Sequence, residues 1–231
     1  MNIGKLSSIL NTIRDTSIKT AIIEVRDNDK VMIRAIDDDS MIAIYHEMSN
    51  GDMLNKTVGI KDINSFTDKL TLFDLDEVEV NEANTDQYTK AVNIKQGRRK
   101  IFYGFNNPEK LKMPAGLVQD TITTVITLSS ERTKELMKSF KTFKPETFNI
   151  ASNTDGIMIS FADKNEASFE DVLTENSTGN WNHNWKRNKF VTLMNNVIGS
   201  DEEDITISIS SKGIIYFDIN DVVVMLTPTV V

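Results

Sequence analysis

No cysteine occurs among the 231 residues of this chain. A disulfide framework and thiolate metal sites are therefore excluded, and the composition fits a reducing cytoplasm. Histidine occurs only as His46 and His183. The two lie far apart in sequence, which gives little support to a catalytic triad or a histidine-rich zinc site. No phosphate-binding P-loop, Gly-x-Gly-x-x-Gly or Gly-x-Ser-x-Gly pattern is present, so an enzyme has no positive signal. No catalytic residue, metal or cofactor is expected. Pure apolar runs stay as short as Val222–Leu226, too short to span a bilayer. The opening Met-Asn-Ile-Gly-Lys lacks a long apolar core, so a signal peptide is not expected.

What is present is acidic charge and a repeated layout. The formal charge is −8, which speaks against adhesion to DNA over the whole surface and requires any polyanion site to be local. Amphipathic helix patterns fall at residues 6–13 and 60–72. They return at residues 130–143 and 188–198, an offset of about 125–130 residues. That period is too long for a solenoid and predicts two similar domains in tandem. The length suffices for each to bury a core.

Strand signals fill the spaces between helices. In the first half they lie at residues 18–25, 31–36, 41–48, 77–81, 91–95 and 100–105, with Asp27-Asn28-Asp29 and Gly97-Arg98 as turns. Residues 106–121 hold Pro108, Pro114 and Gly116 without periodicity and read as a linker. Strands follow at residues 122–128, 147–151, 157–162, 168–173, 205–210, 214–219 and 222–227, with Gly199 closing the fourth helix. The expected organisation is a domain over 1–105, a linker over 106–121 and a domain over 122–231. The expected class is α+β, with antiparallel sheets and helices on one face.

The helices carry the functional signal. In residues 130–143, Leu136, Met137, Phe140 and Phe143 form the apolar stripe. Arg132, Lys134, Lys138, Lys141 and Lys144 occupy the other faces against Glu131 and Glu135. Lys134, Lys138 and Lys141 fall on one stripe, where like charges repel by roughly 0.2–0.5 kcal/mol per pair. An anion opposite the helix would offset that cost; a solvated lysine face is the plainer reading. The first helix buries Leu6, Ile9, Leu10 and Ile13 and shows Lys5, Ser8, Thr12 and Arg14. The second buries Ile60, Ile63, Phe66 and Leu70 and shows Lys61, Asn64 and Lys69. The fourth buries Phe190, Leu193, Met194 and Val197 and shows Lys189, Thr192, Asn195 and Asn196. Such faces suit contact with phosphate through charge and water, without base readout.

At this point a resemblance becomes specific. Met-Asn-Ile-Gly-Lys-Leu-Ser-Ser-Ile-Leu-Asn-Thr-Ile at the start, Val58-Gly-Ile-Lys-Asp-Ile-Asn-Ser-Phe, Arg34-Ala-Ile-Asp-Asp-Asp-Ser-Met-Ile-Ala-Ile and Val224-Met-Leu-Thr-Pro stand in the order and spacing of a DNA sliding clamp. The chain resembles such polymerase processivity factors, most nearly the T4-type bacteriophage clamp, with the PCNA-like fold. The resemblance is one of layout over nearly the whole chain, with short local matches. It implies two tandem clamp domains, sheets outside, and two helices from each lining the central hole of a homotrimeric ring. Such a ring encircles duplex DNA, is placed by a clamp loader, tethers a DNA polymerase and performs no chemistry. For a viral protein it would work in the host cytoplasm, away from membranes. Carried over by position, the bore residues are Lys5, Lys61, Lys69, Arg132, Lys134, Lys138, Lys141 and Lys189. The partner pocket, beneath the linker, would use Ile36, Met41, Met113, Leu117, Met225, Leu226 and Pro228. Methionines suit a pocket that repacks around several peptides; ordinary core and edge positions are the alternative.

The resemblance also implies subunit contact between residues 99–105 of one copy and 168–173 of the next. Arg98, Arg99 and Lys100 would otherwise serve as gatekeeping charges on a solvated hairpin. The chain departs from cellular clamps in lacking a strand before its first helix. Asp37-Asp38-Asp39 offers carboxylates for magnesium, but a polar turn accounts for it without a second ligand set. The run at residues 201–204 reads as a solvated loop. Trp181-Asn-His-Asn-Trp185 offers stacking surfaces for single-stranded nucleic acid, or a strand with its aromatics on one face. The competing reading of the whole chain is a viral structural or assembly protein whose tandem sheets serve oligomerisation.

Overall fold

The computed structural model describes residues 1–113, 120–165, 167–176, 179–197, 204–219 and 222–229. The chain divides into two compact units, Met1–Leu117 and Val118–Val231. Gly199 and residues 200–203, expected as a helix stop and an acidic loop, lie outside the described residues, as do Pro114, Gly116 and Leu117.

In the first unit, α1 (Ile3–Asp15) starts where Asn2 Oδ1 accepts the Lys5 amide at 3.1 Å. Three strands follow, β1 (Thr20–Arg26), β2 (Lys30–Ile36) and β3 (Ile42–Ser49). The Asp27-Asn28-Asp29 turn puts Asn28 and Asp29 at φ 60° and 56°, a left-handed conformation that these two residue types tolerate. Next come β4 (Val58–Ile60) and α2 (Ile63–Leu70), the latter capped by Asp62, whose Oδ1 accepts from the Ser65 amide at 2.8 Å. The unit closes with β5 (Glu79–Asn84), β6 (Thr89–Gln96), β7 (Arg99–Gly104) and a 3-10 turn at Pro108–Lys110. All strand pairs are antiparallel, in the orders β4-β1-β2-β3 and β5-β6-β7. Helical spacing places Leu6, Leu10 and Ile13 of α1 and Phe66 of α2 in the core, against alternate residues Ile23, Ile33 and Ile44 of the sheet.

The second unit repeats the plan with β8 (Ile122–Leu128), α3 (Ser130–Phe143), β9 (Thr147–Asn153), β10 (Gly156–Ala162), β11 (Ser168–Thr174), β12 (Trp181–Lys186), α4 (Arg187–Val197), β13 (Ile205–Ser210), β14 (Ile215–Ile219) and β15 (Val222–Leu226). Its antiparallel orders are β15-β14-β13-β8 and β11-β10-β9-β12. Ser129 caps α3 and Lys144 ends it at φ 47°. Here the core is aromatic. Phe140 stacks on Phe161 at 4.7 Å between centroids and meets Phe148 at 5.2 Å; Phe148 in turn stacks on Trp185 at 5.6 Å.

Two expectations shift, at Ile60 and Thr12, and two open alternatives, at residues 181–185 and at Asp37, fall to the structural reading. Ile60 belongs to β4, and α2 begins at Ile63, because Asp62 rather than Ile60 occupies the capping position. Thr12, expected on the solvent face, is buried. The stretch Trp181–Lys186 is a strand, with Trp185 buried and its Nε1 donating to Gly213 O at 2.9 Å, so this aromatic segment is structural. Asp37 is buried, and its Oδ1 accepts from the amides of Met41 at 2.7 Å and Ile42 at 3.0 Å, which makes it a turn former. Among the described residues no acidic or histidine cluster could hold a metal ion, and no helix is long and apolar enough to cross a membrane.

Candidate nucleic-acid interface

The amphipathic pattern of α3 turns Leu136, Met137 and Phe140 inward. The same geometry leaves Lys134, Lys138 and Lys141 exposed on the opposite side. Among the described residues none of these three ammonium groups enters a hydrogen bond or ion pair. Lys134 and Lys138 flank a hollow of about 570 Å³ that also meets Ser129, Glu131 and Asp204. These three lysines form a row of cations without ion pairs among the described residues, on a chain of charge −8, with Glu131, Glu135 and Asp204 lining the hollow beside Lys134 and Lys138.

The other five cations differ in their freedom. Arg132 donates to Asp171 Oδ1 at 2.7 Å and to Val172 O at 2.5 Å, so it clamps α3 to β11. Lys69 bends back along α2 to Ser65 O at 2.9 Å and to the Ser65 hydroxyl, with its ammonium 5.7 Å from the Tyr103 ring centroid. Lys5 Nζ donates to Gly51 O. Lys61, just before the Asp62 cap, is exposed over a hollow shared with Lys19, Asn64 and Asp68. Lys189, in the first turn of α4, is half-buried and engaged. The strip on α3 is therefore the part of the set most available to a phosphate.

The candidate partner residues divide between the units. In the first, Ile36 ends β2 half-buried, and Met41 is buried with its amide on Asp37. Met113 lines a hollow of about 390 Å³ with Ile22, Arg34, Tyr88, Pro108 and Leu111; Ile36 and Met41 are not part of its lining. Arg34 enters that hollow with its Nε buried and without a partner, while its terminal nitrogen holds Glu24 at 3.1 Å. Sequence reasoning missed this group because Arg34 reads as one more outward residue of an alternating strand. In the second unit, Met225 and Leu226 are buried in β15, opposite Tyr216 and Ile215. Pro228 follows half-buried, beside Thr229, whose amide and hydroxyl both donate to Asn184 O at 2.7 and 2.9 Å. Leu117 lies outside the described residues.

No family model matches this sequence, and no curated protein matches it. Solved structures do. The PCNA of A. fulgidus, in a structure with the C-terminal region of FEN-1 bound, is similar at TM-score 0.67 and 13% identity, over 97% of this chain and 96% of that one. The PCNA of Entamoeba histolytica is similar at TM-score 0.63 and 13% identity, over 97% and 95%. The PCNA of Thermococcus kodakaraensis is similar at TM-score 0.61 and 12% identity, over 97% and 96%. At such low identity it is the fold that is shared, and that fold, α+β with antiparallel sheets and four helices, is the one seen in PCNA sliding clamps.

Proposed function

We propose that this protein is a sliding clamp, a homotrimeric ring that encircles duplex DNA and tethers a replicative DNA polymerase without reading sequence. The single observation that carries the reading is the exposed, unpaired stripe of Lys134, Lys138 and Lys141 on a helix of a PCNA-like fold in an acidic chain. In the proposed ring an acidic outer face would repel stray contacts, while the cations that the helices carry would meet the phosphates by charge alone. The two domains, their linker and the eight candidate bore cations belong to this reading, with Lys134, Lys138 and Lys141 as its centre. Arg132 and Lys69 act in it by positioning, because their side chains are already held. Ile36, Met41, Met113, Leu117, Met225, Leu226 and Pro228 are proposed to receive partner peptides, as the A. fulgidus protein receives the C-terminal region of FEN-1. A clamp loader and a polymerase are the proposed partners, and a bacteriophage-infected host cytoplasm is the proposed setting. The role needs no catalytic residue and no cofactor.

The test is the triple substitution Lys134→Glu, Lys138→Glu, Lys141→Glu, with binding to a short duplex followed by fluorescence anisotropy across salt concentrations. The account expects affinity to fall by about tenfold or more and the salt dependence to flatten, because each lost phosphate contact removes about 0.9 from the slope. It also expects equal binding to duplexes of different sequence. An unchanged affinity and slope in a folded triple variant would count against the reading.

A further inference from the structure

The hollow beside Arg34 lies wholly within the first unit. Ile22, Glu24 and Arg34 reach it from the sheet. They alternate along β1 and β2 with the core residues Ile23 and Ile33, so they stand on the face turned away from α1 and α2. One border is the turn ahead of β6. Lys56 Nζ holds that turn by donating to Thr85 O at 2.6 Å and to Asp86 O at 3.2 Å, and the Thr89 amide donates to Thr57 O at 2.9 Å. The other border is residues 107–113. Their approach is fixed at Gly59, where a Cβ would stand 2.7 Å from Asn106 O and 3.0 Å from Leu111 Cδ1. The hollow is therefore formed before any ligand arrives, and its volume of about 390 Å³ lies in the range of small-molecule sites.

Two polar groups in it are left over. Arg34 Nε is buried without an acceptor. Arg26 and Arg34 both take Oε2 of Glu24, at 3.0 and 3.1 Å, so Glu24 Oε1 has no hydrogen bond or ion pair among the described residues. An unmet donor thus stands beside an unmet acceptor. What fills both is a carbonyl oxygen and an N–H on the same side of one group. A main-chain peptide unit does not offer this, because its trans bond points the two in opposite directions. A cyclic amide does, because its ring holds the bond cis. The charged residues that line the hollow, Glu24, Glu109 and Arg34, sum to −1, so a phosphate or carboxylate gains nothing there. Ile22, Leu111, Met113 and Tyr88 supply apolar surface for a flat ring. We propose that this hollow binds a neutral cyclic amide, the edge carried by uracil and hypoxanthine rings. Its carbonyl accepts from Arg34 and its ring N–H donates to Glu24. Among the described residues only Met113 is shared with the positions proposed for partner peptides, and the assignment does not depend on the clamp reading.

The probes are uridine and inosine, whose rings carry that edge, adenosine, whose ring has no carbonyl, and nicotinamide, whose open carboxamide carries the edge outside a ring. Binding to the full chain is followed by ligand-observed NMR titration. Uridine and inosine are expected to bind at least about tenfold more tightly than adenosine, because a site built around a hydrogen bond rejects the analogue that cannot make it. Arg34→Met keeps the apolar stem, removes the donor and should abolish the preference. Glu24→Gln should weaken binding of both nucleosides by about tenfold while leaving duplex affinity unchanged, so this site and the clamp reading fail separately. Circular dichroism checks that each variant is folded; should Arg34→Met not fold, Glu24→Gln decides alone. Equal binding of adenosine, binding untouched by the substitutions, or no binding of any probe overturns the proposal. Tighter binding of nicotinamide than of either nucleoside overturns the ring and makes an open carboxamide the ligand.

Discussion

Asp120, two residues before β8, accepts from the hydroxyls of Ser210 and Ser211, the latter at 2.6 Å, and from the Lys212 amide at 3.0 Å. These bonds, led by Ser210, hold its carboxyl down at about 2, against an ordinary 3.8. Between those values the unfolded chain takes up the proton first. The stabilisation is therefore complete above pH 3.8 and lost as pH falls toward about 2. Urea midpoints of the wild type and Asp120→Asn should differ by a constant amount above that window and converge at its acid end. His183 shows the opposite chemistry with the same acid sensitivity. Burial against Trp181 and Trp185 pushes its imidazole below 6.5, so acid below that value charges the unfolded chain first and lowers stability. A ring resonance followed by NMR should titrate below 6.5. The Asp120 effect is not visible in sequence, because Asp120 and its partners are some ninety positions apart.

Among the elements, those with long periodic patterns are legible and the short or polar ones are not. The α3 pattern marks its helix because four apolar positions repeat at helical spacing behind a serine cap, and the structure places that helix at Ser130–Phe143. β4 escapes because three residues carry no alternation and Ile60 fits the stripe of the helix beyond it. β12 escapes as a definite strand because its outward residues are asparagines, and its hold on the sheet comes from β9. Arg132 and Lys69 read as free cations because the groups that engage them, Asp171 and the Ser65 backbone, leave no pattern along the chain. Energetics at this scale can be checked by denaturation. Phe140→Ala removes a fully buried ring at the centre of the aromatic core and should cost about 3–5 kcal/mol. Ser129→Ala removes the cap of α3 and should cost about 1 kcal/mol. Gly213→Ala should be strongly destabilising, since its φ is 77° and a Cβ would stand 2.5 Å from the His183 ring.

For the whole molecule, the doubled layout is the feature that sequence carries best, and the shared fold over 97% of the chain agrees with it at only 13% identity. Packing preserves the spacing of apolar residues even where residue identities drift, whereas the choice of any partner is written in surface side chains that fold alone does not constrain. The central claim is topological, that closed copies of this chain enclose DNA. The most direct test closes the assembly with mild glutaraldehyde in the presence of nicked circular duplex, washes in high salt, and then cuts the circle once with a restriction enzyme. A ring predicts protein that stays on the circle through the wash and is released when the DNA is linearised. Protein that washes off the intact circle, or that stays equally well after the cut, would contradict it.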